Sequence, residues 1–224
     1  MRRVRWRRSL IGWLAVACVA LIAVLNGKPE FSNASVAPRG IPSSIVALEV
    51  ARNVTEVDSI LGEAPSPDRE TMRIKQYIDF GFIACYVSLY VALAMFFRSS
   101  VAIVAAACGL AAGILDVVEN VAILRLLDVR LRDTTQAMVD AIRHPSLAKW
   151  SLAFLATGLF GYVFLRSRLF QESKPWLSRA IGAANLAAAG LGIYGLFNNA
   201  FLVWAEVPML AGLAGIIARF LLFA

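Results

Sequence analysis

The chain has 224 residues, 59% hydrophobic and 17% charged, with net charge +7 and mean hydropathy +0.70. A soluble domain carries about 25% charged residues, so this balance excludes an ordinary soluble globule. The basic excess lies beside hydrophobic blocks, with no basic stripe and interleaved aromatics of the kind that marks a nucleic-acid surface.

A membrane helix needs about 20 apolar residues to cross the roughly 30 Å hydrocarbon layer, and several blocks reach that length. The first, Leu10 to Leu25, follows a basic start with Arg2, Arg3, Arg5, Arg7 and Arg8. A basic start before an apolar run is also the pattern of a signal peptide. The only small-residue cleavage sequence, Ser35-Val36-Ala37, lies too far beyond the run, so an uncleaved first span is expected. Residues 26–75 form the longest polar stretch, with Pro29, Pro38, Pro42, Pro65 and Pro67. Two short helices are predicted in it. One covers about 43–52, capped by Ser43 or Ser44. The other covers about 55–61, capped by Thr55, with Asp58 in the capping-box position and Gly62 at its end. Val54, Val57, Ile60 and Leu61 share a face suited to the bilayer surface or to the bundle. Asp68 is expected to cap a helix running into a second span over about 77–97.

Arg98-Ser99-Ser100 makes a tight turn into a third span over about 101–122, continuing toward Leu131. An amphipathic helix is predicted over about 134–143, ended by His144-Pro145, ahead of a fourth span over about 148–165. A basic loop with Arg166, Arg168, Lys174 and Arg179 leads to a fifth span over about 181–203. After Glu206 and Pro208 a last apolar run is expected to cross as a sixth. Cys18, Cys85 and Cys108 all fall inside apolar blocks, without a Cys-x-x-Cys pair, and read as small apolar residues.

With the N-terminus inside, segments 1–8, 98–100 and 166–179 face the cytoplasm and hold ten Lys or Arg against one acid, Glu172. The outer stretch 26–75 holds six bases and seven acids. This is the positive-inside bias. The expected fold is all-α, a polytopic transmembrane bundle of about six spans. It divides into a basic N-terminus with the first span (1–25), an extracytoplasmic helical loop (26–75) and the remaining bundle (76–224).

Ionisable groups inside a span are costly and mark functional positions. In this topology Asp79, the trio Asp116, Glu119 and Asn120, the pair Asn198 and Asn199, and Glu206 all fall in the outer third of the membrane. Asp116, Glu119 and Asn120 are spaced i+3 and i+4, so they share one helix face. Gly109, Ala112 and Gly113 continue that stripe inward and permit close helix approach. Asp79, Phe82, Ile83 and Tyr86 form one face of the second span, which must run antiparallel to the third. Asp79 is therefore expected near Asp116 or Glu119, with Tyr86 as a hydrogen-bond donor. Lys149 begins the fourth span at the same depth and is placed to neutralise a carboxylate, as is Arg125.

These carboxylates and amides suit a hard cation, although their spacing matches no metal motif. His144 is the only histidine, which argues against a multi-histidine zinc site and bis-His haem; beside Pro145 it reads as a helix-end residue. There is no Gly-x-Ser-x-Gly elbow and no Gly-rich phosphate loop. Gly113…Glu119-Asn120 aligns with Gly192…Asn198-Asn199, either a parallel internal repeat or chance in Gly-rich helices. The sequons at Asn33 and Asn53 fall outside, and they matter only in a eukaryotic source.

Four segments, Ile45–Ala51, Asp79–Tyr86, Leu115–Val121 and Ala148–Trp150, resemble a bacterial group of small multi-pass membrane proteins without assigned function. The resemblance covers about residues 45–165. It implies a bacterial cytoplasmic membrane and groups Glu49, Asp79, Tyr86, Asp116, Glu119, Asn120 and Lys149; it implies no activity. Three readings stay open. The cluster, with Asn198, Asn199 and the accessory Glu49 and Glu206, binds a cation, proton or small polar group in transport or sensing. Alternatively it only locks helices, in a protein with a membrane-protein partner. Alternatively it serves a divalent-metal enzyme acting on lipid headgroups. No cofactor and no nucleic-acid partner is expected; the lipid bilayer is.

Overall fold

The computed structural model describes residues 2–27, 29–32, 41, 43–167, 174–198 and 201–223, with side chains from residue 8 onward. Its helices are α1 (Arg2–Leu25), α2 (Ser44–Glu49), α3 (Val54–Leu61), α4 (Pro67–Phe97), α5 (Ser100–Leu127), α6 (Gln136–Arg166), α7 (Pro175–Phe197) and α8 (Glu206–Ile217). A 3₁₀ turn precedes α8 and a π turn, Ala218–Leu222, extends it. Six stretches are long and apolar enough to cross a membrane: α1, α4, α5, α6, α7 and the unit Val203–Leu222. The protein is an all-α polytopic bundle.

The six long units form a closed ring. In order round it, α1 packs on α4, α4 on α5, α5 on α6, α6 on α7, α7 on α8, and α8 back on α1. At one end of the ring interior, Leu93, Phe97, Phe160, Phe164 and Phe220 build an apolar plug. At the other end a second core joins α2 and α3 to the ends of α4, α5 and α6 through Leu48, Val57, Leu61, Met72, Leu126 and Ile142. The apolar face of α3 therefore rests on the bundle and not on the bilayer surface.

Local chemistry explains where the helices begin, and it revises several sequence expectations. Ser43 caps α2 by accepting from the Val46 N–H. The cap of α3 is Asn53, not Thr55; its side chain accepts from the Glu56 N–H at 2.9 Å, and the Glu56 carboxylate accepts from the Arg52 N–H at 2.8 Å. Asn is the stronger cap because its carbonyl reaches the backbone without the restriction of a β-branch. Ser66, not Asp68, caps α4 and accepts from the Arg69 N–H. Pro67 then sits at the first helical position, where no N–H is needed. Asp68 lies in the first turn and accepts from the Ser32 N–H and hydroxyl at 2.7 and 2.8 Å. Arg98 closes α4 in the left-handed conformation (φ 52°) and Ser99 caps α5, as the tight turn predicted.

Two breaks fall elsewhere than expected. His144 and Pro145 do not end a helix; α6 runs through them without interruption. Proline removes one backbone hydrogen bond, but Val139, Ile142, Ser146 and Lys149 on either side are all buried, so packing holds the helix together. The Ser146 hydroxyl donates to the Ile142 carbonyl at 2.8 Å, an i−4 back-bond one position along from the Ala141 carbonyl that Pro145 leaves without its helical donor. The fifth span starts at Pro175 and stops at Phe197, and Glu206 opens α8 instead of trailing that span.

Candidate functional site

Lys149 is the centre of the polar layer. Its Nζ donates to Asp116 Oδ1 at 2.8 Å, Glu119 Oε1 at 2.9 Å and Glu49 Oε1 at 3.1 Å. An ammonium has three protons, so its capacity is filled. All four residues are almost completely buried, at 6% exposure or less. The remaining carboxylate oxygens are satisfied unevenly. Asp116 Oδ2 accepts from the Tyr86 hydroxyl at 3.0 Å, and Glu49 Oε2 from the Trp150 indole N–H at 2.7 Å. Glu119 Oε2 is buried with no hydrogen-bond partner among the described residues. Asp79 Oδ2 accepts from Asn120 Nδ2 at 2.7 Å, and no donor is bonded to its Oδ1 among the described residues.

Each side chain arrives for a local reason. Asp116, Glu119 and Asn120 are buried on one face of α5, as their spacing required. Below them Gly109 and Gly113 lie so close to Tyr90 and Val87 of α4 that a Cβ at either would overlap those side chains. This close approach brings Asp79 and Tyr86 of α4 onto the acids of α5. Glu49 is the last residue of α2, whose Ala47 and Leu48 are buried in the second core. In the sequence only the resemblance groups Glu49 with the cluster; its own spacing gives no such indication. The Trp150 contact was not anticipated, because it depends on where α2 docks, 101 positions away.

The other candidates separate from the cluster. Asn198 caps the C-terminus of α7 and is exposed, so its segment is not equivalent to the buried Glu119-Asn120. Asn199 lies outside the described residues, as do Asn33 and the Ser35–Ala37 sequence. Arg125 and His144 are exposed. Glu206 does not touch Lys149; its Oε1 accepts from Asn26 Nδ2 at 2.8 Å, tying the end of α1 to the start of α8.

A cavity of about 210 Å³ descends from this layer into the ring. Glu49, Asp79, Asp116, Lys149 and Glu206 line its polar end. Leu89, Leu93, Phe160, Phe164, Leu213 and Ile216 line the remainder. Tyr86, Tyr90 and Phe160 form an aromatic ladder along it, with centroids 6.0 and 5.3 Å apart, and the Tyr90 and Thr157 hydroxyls share a hydrogen bond of 2.9 Å. Among the described residues no group of three or more His, Cys, Asp or Glu is arranged to hold a metal. Here the carboxylates converge on an ammonium that stands where a cation would. No protein-family model matches the chain, and no curated protein or solved structure matches it either.

Proposed function

We propose that the Lys149-centred cluster of this multi-pass membrane protein binds a proton, and with it a small polar group, in transport or sensing. The observation that carries this reading is the imbalance of the cluster. Three carboxylates, from Glu49, Asp116 and Glu119, meet one ammonium inside the bundle, a fourth, Asp79, joins the layer through Asn120, and among the described residues Glu119 Oε2 has no donor. Uncompensated charge at such a site is expensive, and taking up a proton is the least costly relief. The cluster would then titrate as one unit and not residue by residue. Lys149 argues against a metal cation as the ligand, because it fills the centre of the carboxylate set. A bacterial cytoplasmic membrane and a cytoplasmic N-terminus complete the proposal, from the resemblance and from the loop charges respectively.

Thermal unfolding of the detergent-purified protein against pH tests this. If the folded chain holds a proton that the unfolded chain releases, stability falls as pH rises above the ordinary carboxylate range near about 4.3. Glu119→Gln, which supplies a neutral amide in place of the protonated acid, should flatten that slope and retain stability at high pH. A pH slope identical in the parent and Glu119→Gln sinks the proton reading. One observation favours a purely structural lock: all three Lys149 protons are engaged across α2, α5 and α6. On that reading Glu119→Gln lowers stability at every pH alike.

A further inference from the structure

The cavity has a chemistry of its own. Its walls are apolar below the polar layer, and among the described residues Lys149 is the only basic one in its lining. The three protons of Lys149 are spent on Asp116, Glu119 and Glu49. A carboxylate or phosphate entering the cavity would therefore meet acids and no free donor cation. A donor group would meet acceptors. Among the described residues Asp79 Oδ1 has no donor and Glu206 is bonded only through Oε1, to Asn26; both residues line the cavity.

Size restricts the occupant further. An apolar cavity of about 150 Å³ already admits benzene, and drug-sized ligands need about 300–1,000 Å³. About 210 Å³ lies between, suited to one slim alkyl chain and too small for two acyl chains. The space would hold one chain of a two-chain phospholipid and not both, and among the described lining residues no free cation would meet its phosphate.

From this geometry we infer that the cavity binds a single-chain amphiphile carrying an ammonium head, with the head on Asp79 and the chain between Leu89, Leu93 and Phe160. The inference rests on the acidic end of the ring being open to a ligand, as proposed above, and it uses a carboxylate of that same cluster, Asp79, rather than the unpartnered oxygen of Glu119. Asp79 is half-buried, and hydrogen bonds between an ammonium and a carboxylate are of the charge-assisted, stronger kind.

The test is thermal unfolding in a maltoside detergent with decylamine, decanol and decanoic acid as probes. Decylamine should raise the melting temperature saturably and decanoate should not. A chain-length series of alkylamines on the unaltered protein should gain affinity with length and then level off as the cavity fills. Asp79→Asn should weaken decylamine by about tenfold or more, the loss expected for one hydrogen bond to a charged group. Ala153→Leu, which narrows the cavity from α6, should remove the decylamine response while leaving the pH slope intact. Equal shifts from all three head groups, affinity rising without limit with chain length, or a full response in Ala153→Leu would overturn the inference. Loss of the pH slope in Glu119→Gln beside an unchanged decylamine response would keep the two proposals apart.

Discussion

Single residues carry charge in this protein where packing alone would be cheaper, and the sequence disclosed them to different degrees. Asp116, Glu119 and Asn120 could be placed together because helical spacing is a local property. Lys149 could be matched to them by depth. Its threefold engagement could not be read, since Glu49 arrives from a helix outside the spans. No sequence pattern distinguishes Arg69 from its charged neighbours Asp68 and Glu70. It is 2% exposed and donates to the carbonyls of Gly62, Leu126, Leu127 and Val129 at 2.8–3.2 Å. It thus adds donors at the end of α5, where the helical ladder runs out, although the Leu126 carbonyl also accepts from the Val129 N–H at 3.1 Å. Arg69→Ala should destabilise the protein by on the order of 3 kcal/mol, given the strength of hydrogen bonds to charged groups, seen as a lower melting temperature. Arg69→Lys should recover only part of this, because a compact ammonium cannot span the same acceptors. A variant melting with the parent would show those carbonyls need no such partner.

At the scale of elements, the antiparallel pair α4–α5 was legible because a turn with Ser99 as the next cap leaves few alternatives. Pro145 misled, since a rule about backbone donors was outweighed by the burial of Val139, Ile142, Ser146 and Lys149 around it. Asn198 reads as part of the trio's layer because a continuous apolar run hides a helix end; the break after Phe197 leaves it exposed, while Glu206 lines the same cavity as the cluster without contacting Lys149. The α4–α5 contact depends on small residues. Gly109→Val should force Tyr90 aside and destabilise by about 1–3 kcal/mol, the usual cost of overpacking. It should also part Tyr86 from Asp116. Gly81→Ala on α4 meets nothing within 4 Å and should be silent or slightly stabilising. Thermal unfolding of the two variants side by side checks this; equal effects would mean that the glycine stripe does not set the helix separation.

For the whole molecule, hydropathy alone revealed six crossing units, because crossing the bilayer sets a minimum length that sequence cannot disguise. The ring order was not legible, since it depends on which faces meet at long range. Charge divides the ring between its ends. Arg8 stacks on Phe96 and Lys174 on Phe223 at one end, while Glu49 and Glu206 lie at the other. In a cysteine-free background, Asp133→Cys should react with a membrane-impermeant maleimide in intact cells, and Lys174→Cys only after lysis. The reverse pattern would invert the topology.

The closure of the ring by α1 against α8 bears on how the protein is made. Asn26 and Glu206, which bond across that seam, are separated by 180 positions. At about 5–20 residues per second of translation, the earliest helix therefore stands in lipid for roughly ten to forty seconds before its last neighbour emerges from the ribosome. During that interval Gly12, which the finished fold packs against Leu221, faces acyl chains or an insertion factor. The interior of the ring likewise stays open on one side until α8 has been made. Closure of the ring is thus governed by α8, however early α1 enters the membrane.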